Sequence, residues 1–421
     1  MPAPVLTPPE ALAGPVARAM AAAPAGAVGV AVSGGGDSVA LLLLLRHWAA
    51  GAGRRVEVAT VDHGLRPEAA EEAASVGRLC AGLGISHATL PWRGWEGRGN
   101  LQEAAREARR RLLGGWARER GLAAVALGHT LDDQAETFLL RLARGSGVDG
   151  LAAMAVAAQA GGVTWLRPML GLRRAALRDW LAEAGVDWAE DPSNDDPAFD
   201  RVRARAALGP LAGLGLGPER LAATAARMAR ARAALEAATD ALAAAAAAPG
   251  AAGDLVLDPA RLAAAPEELR LRIVAAALVW VAGARVRPRL ATTEAAAAAV
   301  LGQGLNHGMT AHGCVLRPWR GAVAVRREPA RVGPPVLPGA VWDGRWEVRG
   351  AAADTVVGAL GTAGLAARPG WRETGLAREA LLTTPGIWRG DRLVAAPVLE
   401  PGGAATARRV AALPGPWADS R

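Results

Sequence analysis

A glycine-rich loop, Ser33-Gly34-Gly35-Gly36-Asp37-Ser38, lies between an apolar run and a helical pattern. Consecutive glycines let the backbone turn tightly and approach a ligand without obstruction by side chains. Backbone N–H groups at a helix start form an anion site, and the hydroxyls of Ser33 and Ser38 add donors. Asp37 would repel a bound phosphate unless a divalent cation such as Mg²⁺ lay between them. The loop therefore predicts ATP or phosphate binding, and the alternative is an ordinary turn with Ser and Asp as helix caps.

Acidic and histidine side chains follow two later strand-like runs. Asp62 and His63 follow one run and are expected near the loop, although a turn with a solvated Asp is the alternative. His129 follows another run, and Asp133 and Glu136 lie three apart, as neighbours on the next helix. Paired carboxylates can hold an ammonium group or a metal ion, and a histidine can move a proton. Acids in a first helical turn are also common caps, which is the alternative interpretation.

Arginines spaced three apart, Arg106 and Arg109, share one face of an Arg-rich helical segment. A guanidinium group binds phosphate bidentately and stays charged at any physiological pH. We therefore predict phosphate contacts from this helix face, and the alternative is a solvated surface.

The elements that must position these residues alternate between strands and helices. We predict strands at 27–32, 55–61, 85–90 and 123–127, and helices at 38–49, 67–82, 100–120 and 131–143. This alternation is typical of a parallel sheet with crossover helices, an α/β Rossmann-like fold. Ligands of such sheets bind at the carboxyl ends of the strands, where the residues above are placed.

The character of the chain changes near residue 210 and again near residue 332. We predict a first domain at 1–210, a mainly helical domain at 211–332 and a small α+β domain at 333–421. Long helices are expected at 220–248 and 266–282, Gly333-Pro334-Pro335 is a candidate linker, and 345–349 is strand-like.

Composition narrows the possible functions. The chain of 421 residues carries a net charge of +8, which favours a polyanionic partner such as nucleic acid, although GC-rich codon usage also enriches arginine. The sequence contains no lysine, so Walker-type NTPases and ligases with a lysyl-adenylate are excluded. Its two cysteines form no metal or redox motif. Without a signal peptide or membrane-length apolar run, we expect a cytoplasmic protein that does not contact membranes.

The motifs together resemble those of a known family. The loop Ser-Gly-Gly-x-Asp-Ser is similar to that of the N-type ATP pyrophosphatases of the PP-loop superfamily. The full set resembles the tRNA(Ile)-lysidine synthase family over residues 27–205, and 337–345 resembles its C-terminal region weakly. The segments that carry the resemblance are the loop, Val61–Arg66, Asn100–Arg109, Gly128–Thr137, Arg141–Gly147, Arg167–Leu170, Glu190–Asn194 and Arg201 to Arg205.

The resemblance implies a two-step reaction on RNA. ATP would adenylate the cytidine at the first anticodon position of a CAU-anticodon tRNA(Ile), with Mg²⁺ as cofactor, and free L-lysine would then displace AMP. The family pattern implies ATP binding by Ser33 to Ser38, and we place Asp62 and His63 there too. It implies catalysis by Asp37, Arg109 and His129, and lysine binding by Asp133 and Glu136. We further expect tRNA contacts from Arg106, Arg201, Arg203 and Arg205.

The chain departs from the family pattern at three positions and leaves rival functions open. Thr130 stands where the family often has a second histidine, Arg110 where it often has tyrosine, and Val202 where it often has asparagine.

A tRNA thiolase of the same superfamily would commonly need reactive cysteines, and a glutamine amidotransferase would need a nucleophilic-cysteine domain. A non-catalytic nucleotide sensor that binds RNA would keep the loop without needing His129, Asp133 and Glu136 together.

Overall fold

The computed structural model describes residues 7–64, 68–93, 95, 101–190, 196, 198–305 and 308–410. The chain divides into two compact units, Met1–Arg232 and Ala233–Arg421. The organisation into three domains with boundaries near 210 and 332 stays a prediction. No helix within the described ranges is both long enough and apolar enough to cross a bilayer.

The first unit has the predicted α/β architecture. Its elements are α1 (Glu10–Met20), β1 (Val28–Ala31), α2 (Gly36–Gly51), β2 (Val56–Asp62), α3 (Glu68–Leu83), β3 (His87–Pro91), α4 (Leu101–Glu119), β4 (Ala124–Ala126), α5 (Leu131–Ala143), α6 (Val148–Leu151), β5 (Ala157–Ala160), β6 (Val163–Leu166), α7 (Arg174–Glu183) and α8 (Asp200–Ala212). The alternation predicted for 27–143 is confirmed, with element ends shifted by a few residues.

The six strands form one sheet in the order β3-β2-β1-β4-β6-β5. The strands from β3 to β6 in this order pair in parallel, and β5 joins the edge antiparallel to β6. This last hairpin was not predicted from the sequence. Its turn is Gly161-Gly162, where both glycines have positive φ, as tight two-residue hairpins require.

The strand order reverses direction at β1, because β2 lies on one side of it and β4 on the other. A reversal of this kind opens a crevice at the carboxyl ends of the two central strands. The loops after β1 and β4 meet there so closely that a Cβ at Gly128 would lie 3.3 Å from the carbonyl oxygen of Asp37. The topology therefore brings the glycine-rich loop beside the start of α5.

The buried core of the first unit holds helix α2, and this helix supports the glycine-rich loop. Helix α2 follows the loop directly, and its residues from Leu41 to Leu45 are all buried. Five consecutive buried leucines point to every side of a helix and must be covered on several sides, and α1, α7 and β1 pack against α2.

The second unit contains one larger sheet and two small ones. Helix α9 (Pro218–Ala246) passes through the boundary between the units. The remaining elements are β7 (Ala247–Pro249), β8 (Leu255–Leu257), α10 (Pro259–Ala263), α11 (Glu267–Ala282), α12 (Leu290–Val300), β9 (Met309–Ala311), β10 (Cys314–Trp319), β11 (Ala322–Arg327), β12 (Trp346–Arg349), β13 (Val356–Ala359), α13 (Gly361–Ala366), α14 (Arg378–Leu381), β14 (Pro385–Arg389), β15 (Arg392–Ala395) and β16 (Thr406–Arg409), with 3-10 helices at Pro329–Arg331 and Pro369–Thr374. The sheet β7-β8-β11-β10-β9 was not predicted.

A buried arginine ties parts of the second unit together. Arg345 donates to Asp343 Oδ2 at 2.6 Å, to the Thr383 carbonyl at 2.8 Å and to the Val281 carbonyl at 3.3 Å. Its side chain is fully buried, and a buried charge is tolerated only when it is paired and hydrogen-bonded in this way.

The close packing under β1 gives a stability prediction. Gly29→Ala should lower the free energy of unfolding by about 1–3 kcal/mol, as overpacking does. The added Cβ would lie 2.6 Å from Cζ3 of Trp116 and 3.0 Å from Cδ1 of Leu122. Gly115→Ala is the control, because that position in α4 meets nothing within 4 Å. Gly115→Ala should raise the free energy of unfolding by up to about 1 kcal/mol, as measured by urea unfolding. Equal destabilisation by the two substitutions would contradict the close packing around Gly29.

Candidate active site

The glycine-rich loop is held by its two serines. Ser38 Oγ accepts from the Ser33 N–H at 3.1 Å and donates to the Gly35 carbonyl at 2.8 Å. Gly34 has a φ of +94°, a conformation that favours glycine. Helix α2 begins at Gly36, and its N-cap Gly35 makes no side-chain capping bond. The N–H groups of Ser38 and Val39 donate to the Gly35 carbonyl at 2.9 and 3.1 Å, so an anion at this loop would meet the earlier N–H groups of Gly36 and Asp37.

A later segment of the first unit closes over one side of this loop. The Ala189 N–H donates to the Gly34 carbonyl at 3.0 Å. A Cβ at Gly36 would lie 3.3 Å from Cδ1 of Trp188, so only glycine lets the indole approach this closely. The predicted Glu190–Asn194 motif begins here, but its residues 191–194 lie outside the described residues.

The acid pair sits on the first turns of α5. Thr130 is the N-cap of this helix, and its N–H and hydroxyl both donate to Asp133 Oδ2, at 2.7 and 2.9 Å. Asp133 is thus a capping residue, the alternative noted from the sequence, and it also faces the crevice with its other oxygen. Both Asp133 and Glu136 are buried, which costs free energy unless cations compensate them.

One arginine joins the acid pair to the loop. Arg174 donates to Asp37 Oδ2 at 2.9 Å, to Asp133 Oδ1 at 3.1 Å and to Glu136 Oε1 at 3.5 Å. The loop carboxylate and the acid pair therefore belong to one ionic network, although 137 residues separate Asp37 from Arg174.

Two of the predicted tRNA-contacting arginines complete that network. Arg205 donates to Glu136 Oε1 at 3.0 Å, and Arg201 lies 3.7 Å from Asp133 Oδ1. Arg203 points elsewhere: it pairs with Asp200 and lines a cavity between α5 and α8. Binding of tRNA by Arg106, Arg201, Arg203 and Arg205 stays a prediction.

The network sets the pKa values of its members. Burial raises the pKa of Asp37 above its usual range, although Arg174 acts in the opposite direction. Burial alone would also raise the pKa of Asp133, but Arg174 and the Thr130 N–H outweigh it and lower that pKa. Burial disfavours the charged form of Arg174, yet Asp133, Asp37 and Glu136 raise its pKa overall. The acids and arginines of the cluster therefore compensate one another electrostatically.

The two histidines that were predicted as site residues, His63 and His129, are neutral at physiological pH. Burial lowers the pKa of His129 to about 4; Asp133 opposes this, and Arg167, Arg201 and Arg109 reinforce it. Burial also lowers the pKa of His63, helped by Arg109. Arg109 thus acts electrostatically on both histidines, and burial followed by repulsion from Arg106 lowers its own pKa.

Asp62 and the ring of His63 lie at the carboxyl end of β2. Asp62 Oδ1 accepts from the Gly64 N–H at 2.9 Å, which is the turn considered as the alternative. The ring of His63 contacts Trp92 edge-on, with 5.7 Å between ring centroids. Leu65, Arg66 and Asn100 of the predicted motifs lie outside the described residues, and the assignment of Asp62 and His63 to ATP binding stays a prediction.

Unpartnered polar atoms mark where ligands would bind. Among the described residues, several atoms of this region are buried without a hydrogen-bond partner: Asp37 Oδ1, His63 Nδ1, His129 Nδ1, Glu136 Oε2 and Arg167 Nε. Leaving such an atom unsatisfied costs about 1–3 kcal/mol, so each of these atoms is a candidate contact for a polar ligand.

Arg174 and the role of Asp132 were not predicted from the sequence. Asp132 accepts from the Arg174 N–H at 2.7 Å and so caps α7. A signal was present, because Arg173 and Arg174 open a helix, where the dipole disfavours cations and a specific acidic partner is expected.

Comparison with known proteins connects this geometry to a family. A family model described as a PP-loop domain matches residues 10–212. A tRNA(Ile)-lysidine synthase from Ruegeria pomeroyi is 47% identical over 381 residues, 88% of each chain. One from Methylobacterium sp. (strain 4-46) is 49% identical over 267 residues, 63% of this chain and 76% of that one. Among solved structures, the U34-tRNA thiolase NcsA from Methanococcus maripaludis with its [4Fe-4S] cluster aligns with a TM-score of 0.46 at 16% identity, covering 52% of this chain and 78% of that one.

The buried His129 gives a pH prediction. Its pKa is about 4 in the folded protein and 6.5 as an ordinary histidine, so the unfolded chain binds its proton first as pH falls. This residue should therefore cost stability progressively from pH about 6.5 down to about 4, by up to about 3 kcal/mol. His129→Asn should flatten that part of the stability profile in urea unfolding. His47→Asn, at an exposed position, should leave it unchanged; the same slope in His129→Asn and the parent would contradict the assignment.

Proposed function

Because the chain belongs to the tRNA(Ile)-lysidine synthase family of ATP-using PP-loop ligases, we propose that it joins free L-lysine to the wobble cytidine of CAU-anticodon tRNA(Ile). In the proposed first step, the carbonyl oxygen at position 2 of the cytosine attacks the α-phosphate of ATP, and pyrophosphate leaves. In the second step the lysine amine attacks carbon 2, and AMP leaves. The product reads AUA in place of AUG. One observation carries the proposal: a phosphate-type loop and a buried acid pair share one crevice through Arg174.

The loop side of the site suits ATP and a metal ion. The N–H groups that open α2 and the Ser33 and Ser38 hydroxyls would hold phosphate oxygens. No three His, Cys, Asp or Glu side chains in the described ranges gather as a metal site. Mg²⁺, however, commonly takes one protein carboxylate plus substrate phosphates, and the buried, unpartnered Asp37 Oδ1 fits that role. When bound, the ion would neutralise charge developing on the phosphates.

The acid side suits a primary ammonium group and a proton acceptor. Glu136 is fully buried, and one of its oxygens has no partner among the described residues, which an ammonium group could satisfy. Asp133 adds negative charge beside it. In the same part of the chain, Nδ1 of the neutral His129 also lacks a partner and could take a proton from the attacking amine. Arg109 would face the phosphate of the AMP that is transferred. The tRNA would contact the arginines predicted for it, which are Arg106, Arg201, Arg203 and Arg205.

Asp37 is the test of the loop. Asp37→Ala should reduce tRNA-dependent pyrophosphate release by roughly 100-fold or more, the scale expected when a preorganised electrostatic contact is lost. The measurement is pyrophosphate formed from ATP, Mg²⁺ and a CAU-anticodon transcript. Asp179→Ala removes an exposed acid from α7 and is the matched control. Unchanged pyrophosphate release and lysine incorporation in Asp37→Ala would show that the loop is wrongly assigned. A parent protein that binds ATP without turnover would be a nucleotide sensor.

Glu136 is the test of the ammonium site. Glu136→Ala should raise the KM for lysine about 10- to 100-fold, the scale of one charge-assisted hydrogen bond. Adenylation of the tRNA measured without lysine should fall much less. Glu183→Ala, at an exposed position on α7, is the control. Equal loss of adenylation and lysine transfer would count against an ammonium contact at Glu136.

A further inference from the structure

The three carboxylates around Arg174 each present one oxygen to it. These oxygens are Asp37 Oδ2, Asp133 Oδ1 and Glu136 Oε1. The second oxygens of Asp37 and Glu136 are buried and have no partner within the described part of the chain. We propose that Arg174 is a positioning residue that fixes both acids by one oxygen so that the other faces a ligand. This inference rests on the proposed function and names a residue that joins its two half-reactions.

The chemistry of the side chain explains why one residue can do this. A guanidinium group has five N–H donors in a rigid plane, and Arg174 uses Nε, Nη1 and Nη2 toward three different acids. A lysine would supply the charge from one freely rotating atom and could not hold three carboxylates in fixed directions. The orientation of the acids therefore depends on the shape of the group and not only on its charge.

The backbone of Arg174 is anchored independently of these acids. Its N–H donates to Asp132 Oδ2 at 2.7 Å, and the neighbouring Arg173 pairs with Asp132 and Glu219. The side chain is 18% exposed, so it is held in the crevice with little freedom. Because both its backbone and its side chain are held, Arg174 can fix the loop and α5 in position relative to α7.

The two paired acids, Asp133 and Glu136, differ in how many of their carboxylate oxygens have partners in the network. Asp133 uses Oδ2 for Thr130 and Oδ1 for Arg174 and Arg201, so both of its oxygens are engaged. Among the residues that the structure describes, Glu136 uses only Oε1, for Arg174 and Arg205. We therefore assign Asp133 as an anchor of the network and the free Glu136 Oε2 as the oxygen that meets the amine.

Charges from every neighbouring element act on the cluster. Arg201 and Arg205 reach it from α8, and Arg178 acts on Asp37 from α7; His129, in the loop before α5, faces Asp133 but is neutral at physiological pH. Because these charges remain after Arg174 is removed, the cluster keeps partial compensation. The variants below should therefore fold while losing the orientation of the acids.

The experiment compares Arg174→Ala, Arg174→Gln and Arg174→Lys with the control Arg78→Ala, which removes an exposed arginine from α3. One arm measures ATP affinity with and without Mg²⁺, in the absence of tRNA and lysine. The other measures the KM for lysine and kcat of the complete reaction. Each variant is assayed alone, with added guanidinium chloride, and with urea as a neutral molecule of similar shape. Unfolding midpoints verify that the variants are folded, and Arg174→Gln replaces Arg174→Ala if that variant is not.

Arg174→Ala should lose about 10- to 100-fold in the Mg²⁺-dependent part of ATP affinity and raise the KM for lysine by a similar factor, as loss of a group that orients ligands does. Guanidinium should restore most of both losses and urea should restore neither. Arg174→Lys should stay well below the parent, and Arg78→Ala should match the parent.

Three results would overturn the inference. They are unchanged ATP affinity and lysine KM in folded Arg174→Ala, equal recovery with urea and guanidinium, or full function in Arg174→Lys. The two arms separate this inference from the proposed function. If the parent binds Mg²⁺ and ATP but transfers no lysine, the function is wrong, and the binding arm still decides whether Arg174 positions Asp37.

Discussion

The site depends on one constraint, which is that buried carboxylates need fixed cations. Asp133 and Glu136 have side chains that are 9% and 0% exposed, and Asp37 is only partly open. Ionised groups at such depth would protonate or destabilise the fold without compensation. Arg174, Arg201 and Arg205 provide three positive charges for these three acids. A ligand entering the crevice therefore meets a balanced cluster with a few free oxygens, and not a bare negative pocket.

That balance is possible only because of the sheet topology. The reversal of strand order at β1 places the end of β1 and the end of β4 side by side, so α2 and α5 begin at the same crevice. The N-termini of both helices contribute positive dipole ends, which favour anions and carboxylates there. Helix α7 then enters with Arg174 at its first residue, against the preference of its own dipole. The acids of the crevice and the cap from Asp132 compensate that unfavourable placement.

Local sequence rules predicted the parts of the site but not the contacts between them. Spacing placed Asp133 and Glu136 on one helix face, and the glycines predicted the turn before α2, because both features depend on neighbours within a few residues. Arg174 pairs with Asp37 across 137 residues, and no local pattern encodes such a contact. The edge hairpin and the short strands β7, β8 and β9 were missed for a related reason. Strands of three or four residues carry too little alternation to be recognised before their partners are known.

The choice of arginine for every cation in the cluster is consistent with the proposed chemistry. An adenylated base is an electrophile, and an internal lysine beside it could attack in place of the free amino acid. A guanidinium group stays protonated at any physiological pH and is a poor nucleophile, and the surrounding acids raise the pKa of Arg174 further. The chain contains no lysine at all, so the only primary side-chain amine in the crevice would be that of the substrate. A site built this way can hold its acids ionised without supplying a competitor for the bond it is proposed to form.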